Sequence, residues 1–209
     1  NTFSIPIIAL GEVHGLLVGA FTKETEYSQS ALSFVYYAAN QLSTVFASIN
    51  TVREVAKYDP ITGIYNRLQL DTELRNLWNE RIEHGGNFAV IIMDLDHFKT
   101  VNDSYGHLVG DQVLYEFAQL LRNYIDPQYV LARYGGEEFV VLMPRNTELE
   151  ARELAHDIVK MVREHVFCTE SNPLTLTMSA GIAATQEHDT AVLDYQQLLS
   201  RADHAMYYA

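Results

Sequence analysis

Gly135 and Gly136 stand between two β-rich segments and force the chain to reverse there. Tyr129-Val130-Leu131-Ala132-Arg133 leads in, and Val140-Val141-Leu142-Met143 leads away. Branched and aromatic residues on both sides of a glycine pair read as a β-hairpin with Gly135-Gly136 at its tip. Glu137 and Glu138 follow directly, on the outgoing strand. A hairpin requires the glycines but not two consecutive carboxylates. Acids placed where backbone can approach closely suggest a metal ion and a phosphate ligand. The competing reading is a solvated acidic turn.

A second segment points the same way. Phe88-Ala89-Val90-Ile91-Ile92-Met93 is a continuous apolar run, as carried by a central strand covered on both faces. It ends abruptly at Asp94-Leu95-Asp96. On a strand Asp94 and Asp96 share a face, with the Leu95 carbonyl between them. An acid at the end of a buried strand is costly unless it is solvated or holds a cation. A plain strand-end cap is the alternative. Phe98, Lys99, Asn102, Asp103, Gly106, His107, Gly110 and Asp111 follow. Lys99 is a point cation suited to phosphate. Asn102 and Asp111 are candidates for reading a purine edge: a carboxylate accepts from the guanine N1–H and amino group, a pattern adenine lacks. Helix capping competes for both. Asp103 and His107 read as turn and cap residues.

The elements around these segments alternate. Residues 3–21 read as two strands about Gly11, and a long helix spans about Ser28 to Lys57. Val35, Ala38, Leu42, Val45, Ile49, Val52 and Ala56 form a heptad seam on it. The seam fits a helix packed on its own domain or a parallel coiled coil joining two chains; from Val45 to Ala56, where the other faces are polar, dimerisation is favoured. Asp59-Pro60 breaks the helix. Asn66 caps a helix running to His84, which Gly85-Gly86 ends. Then come a strand (88–94), a short helix (98–104), a helix (109–124), the hairpin, a helix (148–165), a strand (174–183) and a helix (195–208). The expected class is α/β (α+β): a mixed sheet flanked by helices, with an N-terminal hairpin and a long linker helix.

Composition narrows the partners. The 209 residues are 48% hydrophobic and 20% charged, enough for a core, and carry a formal net charge of −13. Such a surface repels nucleic-acid backbones and anionic membranes, so neither is expected as a partner. An anionic small substrate remains open if a divalent cation screens it. The single cysteine, Cys168, makes no internal disulfide, fits a reducing, cytoplasmic setting and reads as a small buried residue. The histidines show no His-x-x-x-His pair, so zinc is not expected. No apolar run is long enough to cross a membrane, and no secretory signal opens the chain. The chain starts without Met and reads as a fragment, which leaves an upstream membrane segment open.

Asp59, Thr62-Gly63, Asn66-Arg67, Asp94-Leu95-Asp96-His97-Phe98-Lys99, Asn102-Asp103, Gly106-His107, Gly110-Asp111 and Arg133 to Phe139 occur in one order. Ser179-Ala180-Gly181 and Ala202 to Tyr207 complete the series. Over about residues 58–209 this resembles a GGDEF domain, the diguanylate cyclase family, in a Gly-Gly-Glu-Glu-Phe variant. The resemblance implies a fold like nucleotidyl cyclases and polymerase palms, a βαββαβ core. It implies condensation of two GTP into cyclic di-GMP with release of pyrophosphate, by two domains facing each other as a homodimer joined through the N-terminal helix. It implies Mg²⁺, or Mn²⁺, held by Asp94, the Leu95 carbonyl and Glu137. Glu138 resembles the neighbouring acid, a second metal ligand or the group that takes the ribose 3′-OH proton. Phe98 and Lys99 would border the phosphates, Asn102 and Asp111 would read guanine, and Gly135 and Gly136 would let the hairpin backbone approach the nucleotide. A catalytically inactive GGDEF module, binding GTP or a protein partner as a regulator, is the alternative; degenerate modules usually lose some of the acids present here.

Two positions depart from the family pattern. Its Arg-x-x-Asp product-inhibition pair is replaced by Asp126-Pro127-Gln128-Tyr129, so feedback through that site is not expected. The family continues past the last helix with an Ala-Lys pair and a basic stretch, whereas this sequence stops at Ala209; a protein ending there is expected to bind GTP less tightly. Residues 1–50 resemble the last strands and closing helix of a GAF sensory domain, 51–58 form a linker helix, and 59–209 form the cyclase domain.

Overall fold

The computed structural model describes residues 2–9, 11–20, 29–168, 173–185 and 194–208. The chain divides into two compact units, Asn1–Ala56 and Lys57–Ala209.

In the first unit β1 (Thr2–Ala9) and β2 (Glu12–Ala20) pair antiparallel around Gly11, whose φ is +85°. Helix α1 (Gln29–Val55) lies on this hairpin. Ala39 is buried, and the Ser43 hydroxyl accepts from the Ile8 N–H (3.2 Å) while donating to the Ala39 carbonyl (2.9 Å). Phe46 stacks on His14 at 6.0 Å between ring centroids. The face turned to the hairpin therefore runs through Ala39, Ser43 and Phe46. The heptad residues Leu42, Val45 and Ile49 fall on a neighbouring stripe and stay exposed, at 38%, 51% and 42%. Ala56 lies beyond the end of α1, and the Val52 side chain lies outside the described residues.

The second unit contains α2 (Arg67–His84), β3 (Phe88–Leu95), α3 (Phe98–Tyr105), α4 (His107–Tyr124), β4 (Val130–Gly135), β5 (Glu138–Pro144), α5 (Glu148–Glu164), β6 (Met178–Ala184) and α6 (Tyr195–Tyr207). The βαββαβ order expected from the sequence is present. The strands lie in the order β4-β5-β3-β6, antiparallel at each junction. Among the described residues a parallel component enters only through the Tyr65–Ala132 bridge, at the β4 edge. Alternation along β3 sends Ala89, Ile91, Met93 and Leu95 into a core with α3, α4 and α5. Phe88, Val90 and Ile92 face the opposite core, with α2 and α6. Both faces of β3 are thus sealed, and its polar end is where chemistry can be exposed.

Local signals account for the helix ends. Asn66 accepts from the Gln69 N–H (3.0 Å) to start α2, and Gly85, at φ +76°, ends it. Thr147 and Glu150 form a capping box on α5. Strand β6 starts at Met178 rather than the expected Leu174. Its partner β3 ends at Leu95, where Asp96 N–H takes the Thr177 carbonyl (3.0 Å), and Leu174 pairs instead with Phe167 in an isolated antiparallel bridge (2.8 and 2.9 Å). No helix among the described residues is long and apolar enough to cross a membrane.

Candidate functional site

The carboxylates gather at one end of the sheet. Asp94 on β3 lies opposite Glu138 on β5 and Ser179 on β6. Directly opposed residues project to the same face, here the one toward α2 and α6. Gly135 pairs with Glu138, so the two-residue turn is Gly136-Glu137, one position later than the expected Gly135-Gly136 tip. Gly135 keeps its strand pairing after an irregularity at Tyr134, and Gly136 alone takes a positive φ, +55°. Glycine at the first central position is the demand of a type II′ turn. Glu137 therefore sits at the apex of the turn rather than on the strand. Its carbonyl accepts from the Leu95 N–H (3.4 Å), which ties the tip to the end of β3.

Charge is crowded here. Burial first, then Glu137, Glu138 and Asp96, push the Asp94 carboxyl up to about 6. Burial, then Asp203 and Glu137, raise Glu138, while Arg67 opposes the shift. Asp96 is committed elsewhere, accepting from the hydroxyls of Thr177 (2.5 Å) and Ser179 (2.8 Å). Hard oxygen donors that repel one another suit a divalent cation such as Mg²⁺. Among the described residues no three His, Cys, Asp or Glu side chains form a ready cage. A cation held by Asp94 and Glu137 would need the Leu95 carbonyl and ligand or water oxygens to complete its shell.

The β3–α3 junction turns through His97, in the left-handed region at φ +57°. No side chain caps α3, so its first N–H groups, at Phe98 and Lys99, remain directed along the helix start where phosphate binds well. Neither Asn102 nor Asp111 caps a helix: Asn102 lies inside α3, Asp111 lies inside α4, and the α4 cap is Gly106 without a side-chain bond. The cap expected of Asp103 or His107 is likewise absent at both helices, because Gly106 makes the junction through backbone alone. Capping thus fails to explain Asn102 and Asp111.

Gly110 brings α4 against Asn102. A Cβ built there lands on Asn102 Oδ1 and 3.2 Å from Phe98 Cζ. Gly110→Ala must therefore displace the Asn102 side chain, a flexible tip that can swing away without unfolding the domain. If Asn102 reads the base as the resemblance implies, GTP affinity falls about tenfold with a melting temperature nearly unchanged; titration of GTP onto the folded variant checks this.

Several site residues were quoted in the sequence motifs without a role. Arg67 lies 4.3 Å above the Tyr134 ring and donates to its hydroxyl (3.2 Å). With Glu138 and Asp203 they line a cavity of about 950 Å³ between α2 and α6. Asp203 also lines a second cavity, of about 450 Å³, with Asp94, Ser179, His204 and Tyr207. Asp59 accepts from Thr62 N–H (2.9 Å), Thr62 Oγ1 (2.8 Å) and Arg133 Nη1 (3.1 Å). Burial pushes its carboxyl up, but the Thr62 and Arg133 hydrogen bonds outweigh that and hold it below the usual range. Arg133 also donates to the Gly136 carbonyl from Nε (2.9 Å) and Nη2 (2.7 Å).

The patch that replaces the inhibitory pair lines a cavity of about 350 Å³ together with Tyr58, Tyr65 and Arg122. Asp126 accepts from Gln128 N–H (2.9 Å), and Tyr129 is partly buried against the core. Cys168 is buried, with its thiol pushed up by burial and then by Glu116, as suits an inert residue.

A sheet closed on both faces thus carries, at one end, paired acids beside a glycine turn and an uncapped helix start. The family model for the diguanylate cyclase GGDEF domain matches residues 56–209, and the chain belongs to that family. Diguanylate cyclase DgcP of Pseudomonas aeruginosa is 35% identical over 199 residues, covering 95% of this chain and 27% of that protein. Response regulator PleD of Caulobacter vibrioides is 36% identical over 159 residues, covering 75% of this chain and 34% of that protein. The coiled coil and GGDEF domain of DgcB from Caulobacter crescentus, solved with c-di-GMP, superposes with a TM-score of 0.74 at 27% identity, covering 86% of this chain and 93% of that one. The chain spans 24–36% of the length of the curated relatives described as diguanylate cyclases.

Proposed function

We propose that this chain carries the catalytic domain of an active diguanylate cyclase, condensing two GTP into cyclic di-GMP and two pyrophosphates. The observation that carries the reading is Asp94 held directly opposite Glu138, with Glu137 at the apex of the turn beside them. Asp94, Glu137 and the Leu95 carbonyl would hold Mg²⁺ or Mn²⁺, with Glu138 adjacent. When bound, such a cation neutralises triphosphate charge and makes the attacking hydroxyl more acidic. The uncapped start of α3 and Lys99 bind phosphate, while Phe98 borders it. Asn102 and Asp111 read the guanine edge. Glu138, raised by its neighbours, accepts the 3′-OH proton better than a free glutamate would. Each step forms one O3′–Pα bond, breaks one Pα–O bond to release pyrophosphate, and passes the 3′-OH proton to Glu138; two domains, each holding one GTP, would face each other.

Helix α1 supports the dimer: its exposed Leu42, Val45 and Ile49 follow heptad spacing, and the DgcB structure with its coiled coil matches more of this chain than residues 56–209 make up. Residues 1–50, with the β1–β2 hairpin and most of α1, are read as the end of a GAF-like sensory module that regulates the cyclase, and 51–58 as the linker helix; a GTP-consuming domain fits a cytoplasmic setting. The inactive-module reading is disfavoured by the intact Asp94, Glu137, Glu138, Lys99, Asn102 and Asp111.

The test is incubation of the natural-length protein with GTP and Mg²⁺, with products identified by chromatography. Cyclic di-GMP is expected; its absence while the protein is dimeric refutes the enzyme reading. Product should not inhibit through the 126–129 patch, because Asp126 is occupied within its own turn and Asp126 and Tyr129 stand in place of the Arg-x-x-Asp pair. Inhibition curves of the parent and Tyr129→Ala are expected to coincide; strong, Tyr129-dependent inhibition would contradict this.

A further inference from the structure

The turn that opens the second unit is held from two directions by the elements that carry the nucleotide site. Thr62 is fully buried, and its N–H and hydroxyl both go to Asp59. Its carbonyl accepts from Gln119 Nε2 on α4 at 3.0 Å. Asp59 is ion-paired to Arg133, and Arg133 grips the Gly136 carbonyl in the hairpin turn. Just past the turn, the Tyr65 carbonyl accepts from Arg133 N–H (2.8 Å) along β4. One short turn therefore touches the hairpin bearing Glu137 and Glu138 and the helix bearing Asp111. It begins four residues after Val55, the last residue of α1.

We infer that the Asp59–Gly63 turn sets the position of both arms of the nucleotide site, with Gln119 acting as the positioning residue for the base-reading helix. The inference rests on the proposed cyclase reading for its kinetic consequence and on geometry alone for its structural one. Gln119 and Asp111 are eight residues apart, about 12 Å along one helix. A helix moves as a rod over that length, so a tether at Gln119 fixes where Asp111 stands. Apolar packing of Ile61 and Ile64 under the same turn holds it to the core but allows sliding; the Gln119 hydrogen bond gives the contact a register. The partners of the two arms differ, so they can be loosened separately.

Two variants test this in the full chain. Gln119→Leu keeps size and burial but removes the donor; Gln119→Lys keeps an N–H donor within reach of the Thr62 carbonyl. Gln119→Leu is expected to raise KM for GTP about fivefold with kcat within about twofold of the parent, and Gln119→Lys to restore most of the loss. Hydrogen exchange on the nucleotide-free proteins supplies a readout independent of turnover: Gln119→Leu should speed exchange in α4 and leave the hairpin unchanged. A lowered melting temperature with unchanged KM, or faster exchange across the whole domain, overturns the inference by reducing Gln119 to a general stabiliser. If the parent makes no cyclic di-GMP, the cyclase reading fails, and the exchange pattern alone decides the positioning role.

Discussion

Asp94→Asn is expected to abolish cyclic di-GMP formation and, in the same protein, to raise the stability of the metal-free fold. The loss of activity should exceed about 10³-fold, the scale of removing a central electrostatic group from a reaction site. The gain follows from the raised carboxyl. Its ordinary value is 3.8, and in the fold it is pushed to about 6 by burial and three neighbouring acids. The ionised form is therefore the disfavoured one in the native state. Asp94 costs nothing below about pH 4, and its penalty grows as pH rises toward 6 and is complete above it. Solvent still reaches the group, so the penalty is discounted to roughly 1 kcal/mol, or about 2–4 °C in melting temperature. Melts in chelator at pH 7.5 should show Asp94→Asn above the parent, and at pH 5 the difference should shrink. Added Mg²⁺ should raise the parent and not the variant. A variant less stable than the parent at pH 7.5 would sink the account.

Gly181→Ala should be the most damaging single methyl in the second unit. Gly181 faces Ile92 in the ladder, and a Cβ on it would land on the Ala202 carbonyl and the Met206 N–H of α6. Those are backbone atoms, so no rotamer change relieves the clash and the helix must move. Overpacking of this kind costs about 3 kcal/mol, or about 6–12 °C. The shift would also carry Asp203 away from Glu138, so activity should fall in the folded fraction. Gly135 makes the control, because nothing lies within 4 Å of a Cβ placed there. Denaturant unfolding decides: a loss under about 1 kcal/mol for Gly181→Ala would show that α6 is not so closely seated.

Much of this architecture was legible because the signals were local. The apolar run 88–93 with its sudden acids marked β3 and the edge of the site, and Asn66 and Gly85 bounded α2. The glycine pair predicts the hairpin tip one residue early, because two adjacent glycines can each take a positive φ. Pairing of Gly135 with Glu138 settles which one does, and that depends on the β5 ladder. The alternation of Leu174, Leu176 and Met178 predicts a longer β6, yet alternation does not reveal where the neighbouring strand stops. The approach of Arg67 and Asp203 to Glu138 was invisible: they come from α2 and α6, and only the packing of both helices on one sheet face unites them. Gln119 gave no signal, since a glutamine inside an amphipathic helix looks like a solvated face.

Glu137 and Glu138 are adjacent in the chain but differ in how firmly the backbone holds each carboxylate. Glu138 is locked in the ladder opposite Asp94, where a side chain shorter by one carbon cannot be made up by its backbone. Glu137 rides the apex of a two-residue turn, outside the ladder, where a small tilt can follow a shorter acid. Exchange of glutamate for aspartate should therefore be tolerated at the first acid and cost activity at the second.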